Sequence, residues 1–476
     1  MPCWPGPRSA PASPARAERV NTNVASSTRL AGKPWPWLLA GCWFGLNAVL
    51  LWIYYEPAMK TLVGDEFDYN QRALALLAGK PVLELFIWPP GQAWFIASVY
   101  AVFGAHVLAV QLVQIGLLAL CAGLLVRLWR TLDGARAAWL GGALFLSNPG
   151  TLAYAHWLWP EVTHLACLLG ALVLLLTVPR WPRAAAFGAG LLIGLALLFK
   201  SLLGGLWPVF FLFFLRRGQH RLTYAVVPAV AFAAGLLFAT FPALWKGHLE
   251  TGRPLIADSS LYNLHVGLLD SSRSDYIDEA GLPALTAFIE SAPTPQQRNA
   301  VSLGKIRQLI AERGLASVIG EQLGTQYFRL FSAKTLLVSQ LPGPACAGRL
   351  GAYANTTLAP AVAGLAYLVH SLTLVLFAFG IALWRSWSRP LAAFAGLFLA
   401  YQLLLYLGLH VMERYLFQML PLMCGFAGSF LAAIAWRGEP TATLAFTPWR
   451  CLLGSGLALL LLGLAWLGPV LDGNCQ

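Results

Sequence analysis

Three carboxylates fall within four positions in Gly64-Asp65-Glu66-Phe67-Asp68-Tyr69, directly after the first long apolar run of the chain. A carboxylate within hydrogen-bond reach of a hydroxyl can take its proton, and a Lys or Arg can meet the negative charge that builds on a departing phosphate. Further charges recur at the ends of other apolar runs: His156, Glu161 and His164, then Lys200, then His410, Glu413 and Arg414. Charged groups at a membrane edge are costly, so their placement says more than any apolar stripe. Taken singly each has an ordinary reading: acids that end a helix in solvent, a lysine that snorkels, an arginine on headgroups. Together, four segments with carboxylates and cations at one level suit a reaction on a phosphate-bearing substrate at headgroup depth, with an acceptor approaching from outside. The histidines show no HExxH spacing and read as hydrogen-bonded structural residues. Trp35, Trp37, Trp157 and Trp159 read as aromatic belts.

The elements that must position these groups follow from composition. With 58% hydrophobic and 11% charged residues over 476 positions, the chain is a polytopic, all-α membrane protein; soluble enzymes, disordered scaffolds and disulfide frameworks are excluded. Residues 1–34 form a disordered basic tail, placed in the cytoplasm, and the run 36–56 is a retained first helix. Residues 107–126 form a second span ending in Arg127, Arg130 and Arg136 on the cytoplasmic side, which makes 88–104 an outer interfacial or re-entrant helix. The apolar stretch 184–215 would reach about 48 Å as one helix against a hydrocarbon core of about 30 Å, and both its ends are basic. It therefore reads as a hairpin with Lys200 at its outer turn. Residues 137–178 and 390–436 read as hairpins turning near Asn148 to Glu161 and near His410 to Arg414. Spans near 222–245, 359–384 and 448–468 bring the total to about eleven, with the N-terminus inside and the C-terminus outside. On this assignment most of the 20 acidic residues lie outside, so the net charge of +12 reflects orientation and anionic inner-leaflet lipid, not nucleic acid.

The domain organisation is then a tail (1–34), an N-terminal transmembrane catalytic module (35–245, first outer loop 57–106), an extracytoplasmic domain (246–357) and C-terminal transmembrane helices (358–476). In the outer domain Thr294-Pro295 marks a helix start, and Val301, Ile306, Ile310, Leu315 and Ile319 recur at near-helical spacing, as in amphipathic helices lying on a membrane. Cys346 and Cys475 both fall outside, where pairing and two free thiols are both open; no CxxC or Cys/His cluster suggests structural zinc. Asn355-Thr356-Thr357 reads as a chance sequon.

The order of these motifs resembles the C-type (GT-C) membrane glycosyltransferases, in the branch that includes lipid A aminoarabinose transferase and the protein O-mannosyltransferases. GDEFDYNQRALALLAGK is similar to the family's Asp-Glu motif and juxtamembrane helix, and WPPGQAWFIASVYAVFG to its Pro-Pro outer helix. WPEVTHLACLLGALVLLL is similar to its Pro-acid helix start, FKSLLGGLWP to its Lys hairpin, and ERYLFQMLPLMCGFAG to its Arg-Tyr late helix. These cover about 36–436. The chain departs from the pattern of the aminoarabinose branch at Trp88 and Asp68, where that branch carries basic residues, with Arg72 available in their place. The resemblance implies a GT-C-like fold with outer juxtamembrane helices and one extracytoplasmic loop domain, in the cell (inner) membrane. It implies an inverting transferase, hexosyl or pentosyl, that uses a polyprenyl-phosphate-linked sugar and a lipid, glycan or protein acceptor. Asp65 takes the position of the base with Glu66 beside it; Glu161 takes the second acidic position; Lys200, Arg414, Arg72 and Tyr69 are candidate substrate contacts. No cofactor and no obligatory metal are expected, although Asp65, Glu66 and Glu161 are of a type to bind one. A transporter or flippase of lipid-linked sugars and a non-catalytic membrane protein are the alternatives; the first would show inverted repeats and midplane charges, neither evident here.

Overall fold

A computed structural model describes residues 64–80, 86–177, 182–206, 222–269, 285–332, 359–409, 411–436 and 443–472, with a few further positions between 41 and 62 and between 209 and 214. The basic tail, most of the first span, the second arm of the Lys200 hairpin, His410, Cys346, Cys475 and the Asn355 sequon lie outside the described residues. Among the described residues there is no strand, only one isolated antiparallel bridge, Trp384 with Leu444.

The acidic motif opens helix α1 (Asp65–Leu77), whose first turn carries Asp65, Glu66 and Asp68 at the end of the helix dipole that favours negative charge. Helix α2 (Gly91–Phe103) packs against it, and Tyr100 donates a 2.7 Å hydrogen bond to Asn70 across the pair. Helix α3 (Val107–Ser147) is two helices broken at Asp133 and Gly134. Gly134 has φ +87, a left-handed conformation that glycine adopts without strain, and the break falls inside the arginine-rich stretch where the sequence ends one span and starts the next. Asn148 caps α4 (Pro149–His156) by accepting from Gly150. Helix α5 (Glu161–Thr177) leaves α4 at 110°, so the expected hairpin turn is a bent pair.

Helices α6 (Pro182–Phe199) and α7 (Leu222–Thr251) pack along each other, and α6 also lies on α5. Three shorter helices follow: α8 (Ser260–Leu269), α9 (Pro295–Arg313) and α10 (Leu315–Phe331). Thr294 caps α9 as its sequence predicts, accepting from Gln297 at 3.3 Å. The buried face of this group runs through Leu268, Ser302, Ile306, Leu309 and Val318. The expected stripe is half right: Ile306 is buried and Ile310 partly so, but Val301, Leu315 and Ile319 are exposed, and their neighbours Ser302 and Val318, about 100° round the helix, face inward instead.

The remaining helices are α11 (Ala359–Leu383), α12 (Pro390–Tyr406), α13 (Leu420–Ala435) and α14 (Pro448–Asp472). Helix α13 packs against α3 and α11, and α11 against α14, around one large core that includes Trp129, Phe145, Trp384, Phe417 and Phe426. Among the described residues five helices are long and apolar enough to cross a membrane, or six if α4 and α5 make one bent span. The expected eleven is therefore not reached there: α12 and α13, at 17 and 16 residues, are shorter than a full span, and the first span is mostly undescribed. The chain is nonetheless a multi-pass membrane protein.

One close approach bears directly on function. Gly91, the first residue of α2, lies so near the backbone of Leu198 and Phe199 that a Cβ there would stand 2.6 Å from the Leu198 carbonyl. Helix α2 thus rests on the very end of α6, one residue before Lys200.

Candidate active site

Four side chains from four distant segments meet at one place. Arg414, in the short 3-10 helix Glu413–Gln418, donates to the Asp65 carboxylate at 2.6 Å. Lys200, just after α6, donates to Glu161 Oε1 at 2.8 Å. The Arg414 Nε stands 3.8 Å from that same Glu161 oxygen, which joins the two pairs into one chain of alternating charge, Asp65, Arg414, Glu161 and Lys200. Glu161 is fully buried, and Asp65 is the most open member, its side chain 28% exposed. Two acids and two cations cancel formally. Removing such charges from water costs several kcal/mol per ion, so a cluster of this kind is an expensive way merely to hold helices together.

Aromatic rings floor the cations. The Lys200 ammonium lies 4.7 Å from the Tyr415 ring centre, and the Arg414 guanidinium lies 5.7 Å from Tyr415 and 4.8 Å from Trp159. Tyr415 in turn stacks on Tyr406 at 5.4 Å, nearly parallel. Burial draws the Lys200 ammonium below the ordinary lysine value of 10.5, against the pull of Glu161 and with added repulsion from Arg414. Burial also works against the charge on Arg414, but Asp65 and Glu161 outweigh it and hold the guanidinium charged.

The cluster is mounted on a frame held mainly by neutral amides. Glu161 begins α5 after the extended segment Trp157 to Pro160, and that segment is gripped by buried amides. Gln114 donates to the carbonyls of Ala155 and Trp157 at 3.0 and 2.7 Å, Gln111 to that of His156 at 2.8 Å, and Gln92 to that of Leu158 at 3.1 Å. Thr163 closes the set by donating to Gln92 at 3.2 Å. Sequence reasoning missed all three glutamines. Their only signal is an amide in an otherwise apolar helix, Gln111 and Gln114 being three apart and hence on one face.

The other predicted site residues have different placements. Glu66 is fully buried, and its Oε2 accepts the Leu158 N–H at 2.9 Å, so this carboxylate grips the frame while its neighbour Asp65 meets Arg414. Tyr69 is buried against Ala73, Ile96 and Leu158; burial first, then the charge of Asp65, pushes its hydroxyl well above 10. Arg72 pairs with Asp68 at 2.9 Å and lies over Trp88, 5.7 Å from the ring centre. A guanidinium therefore stands beside both positions, Trp88 and Asp68, where the chain departs from the pattern it resembles. His164 is fully buried with Nδ1 3.0 Å from the Ala196 carbonyl, a structural placement. Trp157 and Trp159 do not form a belt: Trp157 is buried and stacks on Trp159 at 4.4 Å, and Trp159 covers Arg414, because the extended segment turns both rings inward. No group of three or more His, Cys, Asp or Glu side chains fit to hold a metal occurs among the described residues.

The sequence pattern of the dolichyl-phosphate-mannose-protein mannosyltransferase family matches residues 88–245, a stretch that carries Glu161 and Lys200. Among solved structures, the apo oligosaccharyltransferase of Archaeoglobus fulgidus is similar with a TM-score of 0.50 and 12% identity, over 93% of this chain and 56% of that one. The chain has the fold of the C-type membrane glycosyltransferase superfamily. The chain spans about half the length of the oligosaccharyltransferase it matches. It is also similar to ArnT from Cupriavidus metallidurans bound to undecaprenyl phosphate, at 18% identity and a TM-score of 0.37, over 82% of this chain and 78% of that one. Among curated proteins none matches the chain in sequence.

Proposed function

We propose that the protein is an inverting glycosyltransferase that moves a sugar from a polyprenyl-phosphate donor to a hydroxyl of a lipid, glycan or protein acceptor at the outer face of the membrane. The observation that carries this reading is the charged cluster of Asp65, Glu161, Lys200 and Arg414, a candidate base set beside two candidate phosphate partners. Support for the donor class comes from the segment 88–245 that matches the dolichyl-phosphate-mannose-protein mannosyltransferase family.

In this mechanism the acceptor oxygen forms a bond to the anomeric carbon as the bond from that carbon to the phosphate oxygen breaks. The bonding pair leaves with the phosphate, and the acceptor proton passes to Asp65. Lys200 and Arg414 meet the charge that builds on the leaving phosphate. A single displacement inverts the centre. Glu161 holds the two cations at one height, and Glu66 fixes the backbone next to it without touching substrate. The test is mass spectrometry of lipid-linked and envelope glycans in cells with and without the gene, and with the Asp65→Asn variant. A sugar that disappears in the deletion and in Asp65→Asn alike identifies donor and acceptor together; an unchanged glycan profile in the deletion rejects the reading.

A further inference from the structure

Lys200 and Arg414 come from segments more than two hundred positions apart and repel each other, yet they must present their charges side by side. Glu161 Oε1 lies 2.8 Å from one and 3.8 Å from the other, and only the shorter of these is a hydrogen bond. The feature that both cations share besides Glu161 is the ring of Tyr415. That ring is fixed in its turn by the nearly parallel stack on Tyr406, a residue 1% exposed at the end of α12.

We infer that Tyr415 is a positioning residue of the transfer reaction, whose ring face holds the Lys200 ammonium and the Arg414 guanidinium together at the spacing a single phosphate needs. The inference rests on the proposed function for its consequence in catalysis, but not for its physical content. A ring quadrupole attracts a cation at this distance, and the attraction grows when water is excluded, as it is beside a fully buried Glu161. One aromatic face serving two cations does what a third carboxylate beside Asp65 and Glu161 could not: it offsets their repulsion without adding a negative charge that would repel an incoming phosphate.

The decisive experiment keeps the shape of the ring and drains its face. Replacing Tyr415 by phenylalanine and then by phenylalanines carrying one, two and three ring fluorines leaves packing on Tyr406 nearly constant while the quadrupole fades. Two signals are read in the full-length protein: transfer from a polyprenyl-phosphate sugar, and the titration of Lys200, followed by competitive acetylation of amines and peptide mass spectrometry. The charged and titratable groups facing Lys200 are Asp65, Glu161, His164, Arg414 and Tyr415, and only the last changes along the series.

Tyr415→Phe is expected to lose about three-fold in kcat/KM, for the hydroxyl, and the trifluorinated ring a further ten- to thirty-fold, with Lys200 titrating at progressively lower pH as fluorine is added. A flat series in both signals overturns the inference, as does a loss in Tyr415→Phe as large as that of Tyr415→Leu. A graded Lys200 titration in a protein that transfers no sugar leaves the placement of the cations standing and rejects the proposed reaction instead.

Discussion

Two polar assemblies stitch distant parts of this chain together, one at the break inside α3 and one near its start, and they use their charges differently. Near Asp133 and Gly134, Trp129 donates to Ser429 at 2.9 Å and Thr443 to Asp133, while Arg389 donates to the Leu132 carbonyl. Arg450 similarly holds the carbonyls of Leu383 and Trp384 at 3.1 and 2.7 Å, at the end of α11. These arginines finish helix ends, each cation taken up by backbone carbonyls that would otherwise lack partners. About 30 Å along α3 by its rise per residue, beside Gln111 and Gln114, the cations Lys200 and Arg414 touch no backbone carbonyl in this way among the described residues. They sit on carboxylates and aromatic faces, which an anion can share. The first assembly is a clasp and the second has capacity left for a ligand.

Substitutions should separate the two, and the largest effect is expected at the site. Asp65→Asn should lower transfer by about a hundred- to ten-thousand-fold while the protein still folds and inserts, with a smaller drop in melting temperature than Glu161→Gln because Glu161 still faces Arg414. A variant that turns over normally would move the base elsewhere. Glu161→Gln should hurt both properties: it strands Lys200 and Arg414 beside each other, at a cost on the order of 3–5 kcal/mol, visible as a lower melting temperature together with lost transfer. Wild-type stability in that variant would mean the cluster is more open to water than its burial indicates.

The third expectation concerns pH. Lys200 carries its charge only below its pKa, and burial sets that pKa beneath 10.5, so activity should fall on the alkaline side earlier than for an exposed lysine. Lys200→Arg should carry this alkaline limb to higher pH, whatever it does to the maximal rate; a limb that stays in place belongs to another group. Smallest of all, Arg389→Ala should cost about 1 kcal/mol through the uncapped Leu132 carbonyl, with kcat/KM per folded molecule unaffected. A selective loss of turnover there would erase the distinction between clasp and site.

How much of this was legible in the sequence depended on charge. Asp65, Glu161, Lys200 and Arg414 could be set at one level because each ends an apolar run, and the bilayer turns run length into depth. Asp65 and Glu66 could not be told apart that way. Adjacent residues on a helix point about 100° from each other, so two neighbouring acids rarely serve one purpose, and which of them faces the site needs the partner helices to be known. The glutamine frame was invisible because a neutral amide breaks no hydropathy pattern. Tyr415 adjoins Arg414 in the chain, but nothing in the order of residues says that Lys200 arrives over the same ring. Only tertiary packing does.

The contact of Gly91 with the backbone at Leu198 and Phe199 makes the start of α2 and the end of α6 mechanically one piece. With no side chain between them there is no soft layer to absorb a displacement, so a substitution at Gly91 would press on the stem beneath Lys200 and disturb the ammonium without any change in the groups around it.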